Sequence, residues 1–284
     1  MEPISFKARD GLAIQGYITY PTARTRRDLP LVIRVHGGPW ARDYWGYNPE
    51  VQWLASRGYA CLQVNSRGSS GYGKDFVNAG NREWGGRMQK DLIDAVDWAV
   101  GQGIADSERV AIFGSSYGGY AALEGMATDP GLFCCGIDVS GQSDLLGWLG
   151  SLPRKYGPIR STIFMRVGNP ETDAEFLQSR SPLYKADRIR DPLLVIQGER
   201  DPFVPRADTE RIIAALNANG IECVYLLFPD EGQGISRLQD RMIFWNAAEK
   251  FLAEHLGGRS DESSARWPMS HTTERWLGRA VFLA

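Results

Sequence analysis

The sequence predicts an α/β fold, a mostly parallel central sheet with helices on both faces, and three observations carry that reading. Apolar runs rich in strand formers alternate along the chain with segments of helical period, the arrangement that builds parallel sheets. One of these runs, 109–114, passes through a glycine-flanked turn straight into a helix-forming segment beginning Ala121-Ala122-Leu123-Glu124. The chain has 284 residues, 43% of them hydrophobic and 23% charged, enough to bury a large core in one domain.

In order, alternating apolar positions over 3–8 and 12–20 flank Asp10-Gly11 and predict a β-hairpin. Residues 22–30 form a polar connector, 31–36 a strand broken by Gly37-Gly38-Pro39, 48–57 a short helix and 59–64 the next strand. The glycine-rich loop 65–73 is followed by no Gly-Lys-Ser/Thr and is not a phosphate loop, and Gly68, Gly71 and Gly73 lack the G-x-G-x-x-G spacing of a dinucleotide site, so it reads as a turn-rich loop. Met88, Leu92, Val96 and Ala99 make one stripe on a helix over 87–100, with Glu83, Trp84 and Trp98 read as packing around it. Strands are predicted at 134–139, 192–197 and 222–228, and helices at 206–218 and 237–256. The last helix is expected to bury Leu238, Met242, Trp245, Leu252 and Leu256. Residues 140–185 lack clean periodicity and are expected to shape a pocket above the sheet. The domain boundary falls at 258, after which the tail 259–284, with Trp267, Trp276 and Phe282, is expected to dock on its own body or on another subunit.

The turn after residue 113 reads Gly114-Ser115-Ser116-Tyr117-Gly118. This is the G-x-S-x-G spacing of the nucleophile elbow of the α/β-hydrolase fold, in which a serine on a strained strand-to-helix turn exposes its hydroxyl. The following backbone N–H, here that of Tyr117, points at a developing oxyanion. A plain Gly/Ser loop is the bland alternative. Ser116 is thus the candidate nucleophile, and in this fold class an acid and then a histidine follow it, each after a late strand. Asp201 lies in the turn Gly198-Glu199-Arg200-Asp201-Pro202 after one such strand and is the candidate acid, with Glu199 its rival. The next loop, 229–235, is where the histidine is expected. It holds none, and Gln233 stands between two glycines instead.

Beyond the elbow, ordered motifs over about 3–258 resemble the catalytic domain of the prolyl oligopeptidase family, most closely its dipeptidyl/acylaminoacyl-peptidase branch. They are His36-Gly37-Gly38-Pro39, Asn65-Ser66-Arg67-Gly68-Ser69, Gly71-Tyr72-Gly73, Asp94 to Trp98, Ser181-Pro182-Leu183, Gly198 to Pro205 and Phe228 to Gly234. The resemblance implies a serine peptidase or esterase with Ser116 as nucleophile and Asp201 as acid. It also implies an oxyanion hole from the N–H groups of Tyr117 and around Gly38. Family members carry a β-propeller before this domain, and the chain is expected to lack it. The family pattern Asp-Glu-Gly-His-Gly appears here as Asp230 to Gly234 with Gln233 in the histidine's place.

An amide cannot take the serine's proton or protonate a leaving group. Loss of an essential triad member typically costs about 10^6 in kcat, so near-inactivity as a hydrolase is expected. Of the three histidines, His255 is far down the last helix, whereas His36 and His271 are candidate substitute bases. His36 has the plainer role of a turn residue. Three readings of Gln233 stand: a replacement introduced to silence the enzyme, a natural pseudo-hydrolase used for binding or assembly, or a rearrangement or cyclisation that needs no histidine. Drift at Ser66 and at Leu238-Gln239-Asp240 leans towards natural loss.

Arg154, Lys155, Arg160 and Arg166 read as surface charge, with substrate-carboxylate binding the alternative. The net charge of −2 argues against nucleic acid or an anionic membrane as partner. The expected partner is a small peptide, acyl or ester-like molecule, with homo-oligomerisation through the tail. Cys61, Cys134, Cys135 and Cys223 lack metal spacing and are expected to be reduced, consistent with a cytoplasmic protein without metal or cofactor. No signal-peptide pattern or run of membrane-spanning length is present.

Overall fold

The Asp10-Gly11 turn joins β1 (Glu2–Lys7) to β2 (Ala13–Thr19) as the predicted antiparallel hairpin. In the computed structural model, which describes residues 1–22, 25–153, 155 and 157–261, this hairpin is the edge of one eight-stranded sheet. The remaining strands are β3 (Leu29–Val35), β4 (Ala60–Asn65), β5 (Ala105–Ser115), β6 (Cys135–Val139), β7 (Leu193–Gly198) and β8 (Cys223–Phe228), in the order β1-β2-β4-β3-β5-β6-β7-β8. β2 pairs antiparallel with β4, and every pairing from β4 to β8 is parallel.

Both faces of the sheet are buried, and β5 shows how. Val110 and Ile112 join the core under α3 (Arg87–Gly101), α4 (Tyr117–Thr128) and α8 (Arg206–Ala218). Their neighbours Ala111 and Phe113 join the core under α1 (Pro49–Ser56) and α9 (Leu238–Leu252). The period of two therefore sends successive side chains into different apolar layers, which is why the central strands are apolar throughout. The helices over 87–101 and 206–218 fall where the apolar spacing places them, and Met88, Leu92, Val96 and Ala99 are all buried.

Two details differ from the sequence reading. The 140–185 stretch contains α5 (Leu145–Ser151), α6 (Gly157–Val167) and α7 (Ala174–Ser179), followed by a 3-10 segment, Pro182–Arg188. Such short helices display too few turns for a period to emerge. A five-residue helix, α2 (Lys74–Asn78), was hidden in the glycine-rich loop for the same reason.

Leu252 and Leu256 are buried as expected and Trp245 packs against the same layer, but the buried face of α9 is rotated so that it centres on other residues. Leu238 is 67% exposed, and Ile243, Phe244, Ala247, Ala248 and Phe251 pack on the sheet with Leu252. Both sets of residues have helical spacing. The rotation follows from the helix entry, where the buried carboxylate of Glu231 accepts the N–H groups of Ser236 (3.0 Å) and Arg237 (2.6 Å).

All four cysteines are free thiols, and three of them are buried. No helix among the described residues is long and apolar enough to cross a membrane. Residues 259–261 run back along the body, with Arg259 N–H donating to the carbonyl of Arg57 at 3.0 Å. The expected docking of the rest of the tail lies outside the described residues.

Candidate active site

The sheet's chain order reverses around β3, whose two neighbours are β4 and β5, and ligands of open α/β sheets collect at the carboxyl ends beside such a point. Ser116 is there, between β5 and α4, with φ 57° and ψ −119°. This backbone region is costly for a residue with a side chain and persists only where the surroundings impose it. Here the N–H of Ser116 donates to Val139 O (2.8 Å) and its carbonyl accepts from Tyr120 N–H (3.0 Å). The glycine spacing is a packing requirement. A Cβ at Gly114 would lie 2.2 Å from Gly118, and one at Gly118 would lie 2.2 Å from the carbonyl oxygen of Val35.

Tyr117 opens α4, so its N–H has no carbonyl one turn earlier and stands at the positive end of the helix. The turn after β3 passes beside it. A Cβ at Gly37 would lie 3.6 Å from that of Ser116, and Gly38 adopts φ 124°, a conformation suited to glycine. Two elements thus bring their backbone close to Ser116.

Asp201 follows β7 and is 9% exposed. One carboxylate oxygen, Oδ1, accepts the N–H groups of Phe203 (2.7 Å) and Val204 (2.9 Å), which fixes the side chain. The other, Oδ2, is buried with no hydrogen-bond partner. Its rival Glu199 is on the surface, paired with Arg206 at 2.6 Å. The loop after β8 packs on the acid's loop so closely that a Cβ at Gly198 would lie 2.0 Å from Gly232 O. That contact brings Gln233 to the serine, where its Nε2 donates to Ser116 Oγ at 3.2 Å.

The candidate substitute bases do not complete this set. His36 is committed to its own turn, with Nδ1 donating to Gly37 O (2.8 Å) and Nε2 bonded to Ser69 Oγ (3.0 Å). These bonds fit the plainer role of a turn residue. His271 lies outside the described residues. His255 packs edge-on against Phe251. There its ring nitrogen and carboxylate oxygens of Glu222 and Glu254 lie within 4.8 Å of one another, a surface group remote from Ser116.

Other contacts become visible only in three dimensions. Arg67, 3% exposed, bridges Asp91 of α3 (Nη2 to Oδ1, 2.7 Å) and Asp10 of the hairpin turn (Nη1 to Oδ2, 2.7 Å). Hydrogen bonds from its guanidinium hold the Asp10 carboxyl down at about 2. Trp84 stacks on Trp148 of α5 (5.7 Å) and meets Tyr117 edge-on (4.7 Å), so the 140–185 excursion is anchored against the elbow helix. Arg166 of that excursion bonds Asn81 (3.1 Å) and lies over Trp40, and Arg160 lies over Phe164. Arg154 is outside the described residues, and Lys155 is exposed.

Beneath the elbow, Asp138 accepts the N–H of Gly141 at 2.8 Å. Burial raises this carboxyl from its ordinary 3.8 to about 7, only partly offset by that bond. Because the folded-state value is the higher one, the native state binds the extra proton, and this contribution to stability falls as pH rises from about 4 to about 7. Asp138→Asn is expected to flatten the pH dependence of Tm over that window, as measured by calorimetry from pH 4 to 8.

Fold and site together define an α/β-hydrolase with a serine nucleophile elbow. The chain belongs to the prolyl oligopeptidase family, whose model matches residues 45–259. It is 47% identical over 268 residues to dipeptidyl aminopeptidase BIII of Pseudoxanthomonas mexicana, covering 91% of this chain and 39% of that one. It is also 40% identical to dipeptidyl peptidase family member 6 of Caenorhabditis elegans, covering 90% of this chain and 38% of the relative. Among solved structures, a puromycin hydrolase superposes with a TM-score of 0.85 at 29% identity, over 96% of this chain and 41% of that chain. The Pyrococcus horikoshii acylaminoacyl peptidase does so with a TM-score of 0.81 at 27% identity, over 92% and 42%. The chain thus spans about two fifths of the length of these relatives.

Proposed function

We propose that this chain is a peptidase-type serine hydrolase domain that retains the acyl-binding geometry but has lost its general base, so that it hydrolyses peptides or esters at a residual rate only. The observation that carries this reading is the Gln233 Nε2–Ser116 Oγ contact of 3.2 Å. The amide sits where the serine's proton should leave, and as placed it donates to the oxygen rather than accepting from it. The unpartnered Oδ2 of Asp201 supports the same reading, because an imidazole Nδ1–H is the donor a triad acid ordinarily receives. By analogy with the dipeptidyl peptidases it is similar to, the ligand class is a short peptide or its acyl or ester analogue.

A second reading is binding or a non-hydrolytic conversion without turnover of the serine, and it draws on the same hydrogen bond, which supplies no group to accept the Ser116 proton. Ser116→Ala tests the first. When triad members act as a unit, removing a second one changes little, and the remaining catalysis of about 10^3–10^4 over water comes from binding and the oxyanion hole. The variant is therefore expected to hydrolyse a dipeptidyl arylamide within about threefold of the parent rate. A loss of tenfold or more, or loss of a specific non-hydrolytic product, would mean that Ser116 is still served by a base or acts in other chemistry.

A further inference from the structure

A cavity of about 410 Å³ opens on the α1/α9 side of the sheet, behind the elbow. Neither Ser116 nor Gln233 lines it, although their neighbours Ser115 and Gly234 do. Its volume is in the range of small-ligand sites, roughly 300–1,000 Å³. Its walls are aromatic. Trp53 and Trp245 are in contact, 4.6 Å between ring centroids with their planes inclined at 59°, and Phe113 and Phe244 extend the same surface.

Three charged side chains complete the lining: Arg34, Glu50 and Arg241. Arg34 lies over the Phe113 ring at 4.7 Å and gives two N–H groups to Glu50 Oε2, at 3.0 and 2.6 Å. Those two charges cancel. Arg241, one turn into α9, enters no ion pair among the described residues, so the cavity has one uncompensated positive charge beside a surface of indole and phenyl rings.

We propose that this cavity is a second binding site, separate from the Ser116 mouth, for a small aromatic monocarboxylate. The carboxylate pairs with the Arg241 guanidinium and the ring packs against Trp53 and Trp245. A planar guanidinium matches a carboxylate with two parallel N–H donors, and a flat apolar body matches the indole faces. A neutral aromatic would leave the charge unused, and a dianion would meet Glu50. Because Gly234 and Ile235 line the cavity, its occupant touches the loop that presents Gln233. The inference does not depend on whether Ser116 is catalytically competent.

The test uses N-acetyl-tryptophan as probe, with its neutral amide as control, in calorimetric titrations of the full chain. Saturable one-to-one binding of the acid is expected, weakened at least roughly tenfold in the amide and in Arg241→Glu, with Arg241→Lys intermediate. Arg241 is exposed, so the variant should fold normally, and an unchanged thermal transition verifies this. Arg166→Glu, on the excursion beside Trp40, should bind like the parent. Absence of saturable binding at about 10 mM, or equal binding of acid and amide, overturns the proposal. Loss in Arg166→Glu with retention in Arg241→Glu also overturns it, because the ligand would then occupy the Ser116 mouth.

Discussion

Replacing Gln233 with histidine is expected to raise hydrolysis of dipeptidyl or acyl-aminoacyl arylamides by at least about 10^3-fold, out of the ~10^6 that separates whole from broken triads. The other parts are in place. Ser116 is strained into the elbow conformation, Tyr117 N–H is uncommitted at the start of α4, and Asp201 is fixed through Oδ1 with Oδ2 buried and open. An imidazole at 233 is expected to reach the same hydroxyl that the amide reaches at 3.2 Å and to find the acceptor for its second nitrogen in the unpartnered Oδ2 of Asp201. Adding Asp201→Asn to Gln233→His is expected to remove most of the restored rate, because the imidazole loses the partner that fixes its tautomer. In the parent background the same Asp201 change should leave the residual rate nearly unaltered. Steady-state kinetics on the four proteins checks both statements.

The largest expected effect on stability is at Arg67, far from any bond-making. Arg67→Ala would leave the fully buried Asp91 carboxylate without the guanidinium that pairs it through three hydrogen bonds, together with the Arg67 backbone N–H. Removing one partner of such a pair typically costs about 3–5 kcal/mol, because the other charge remains buried. Urea unfolding should show this loss. The double variant Arg67→Met/Asp91→Leu, which replaces the pair by apolar groups of similar size, should recover much of it. Equal instability in the single and double variants would mean that packing, not the unpaired charge, sets the cost.

The difference between these two positions shows what a one-dimensional reading of this chain can reach. Ser116, Asp201 and the Gln233 position were legible because each occupies a turn after a strand whose apolar run is unmistakable, and chain order assigns the roles. The contact of Gln233 with Ser116, 117 residues away, was expected on the same ground. Arg67 was not legible. Its motif could be seen, but the reason for an arginine there lies in Asp10 and Asp91, brought together only when the hairpin turn and α3 meet the loop after β4. Asp138 was hidden similarly, as one polar residue in a strand that both layers cover. The face of α9 failed for another reason: two stripes of helical spacing coexist in its sequence, and the anchor at Glu231 that chooses between them belongs to the preceding loop. Trp84 was read as packing, and it does pack, but its partner Trp148 lies in a segment whose short helices carry no readable period.

The central claim is that everything the Ser116 hydroxyl needs is present except a group to take its proton. The rate at which a fluorophosphonate labels Ser116, followed from pH 5 to 9 in the parent and in Gln233→His, tests it most directly. For Gln233→His the rate should rise with pH through a single ionisation near the ordinary imidazole value of about 6.5 and reach at least ~10^3 times that of the parent. The parent rate should lack that step. Labelling of the parent at a rate within tenfold of Gln233→His, with the same pH step, would contradict the claim and show that another group already serves as the base.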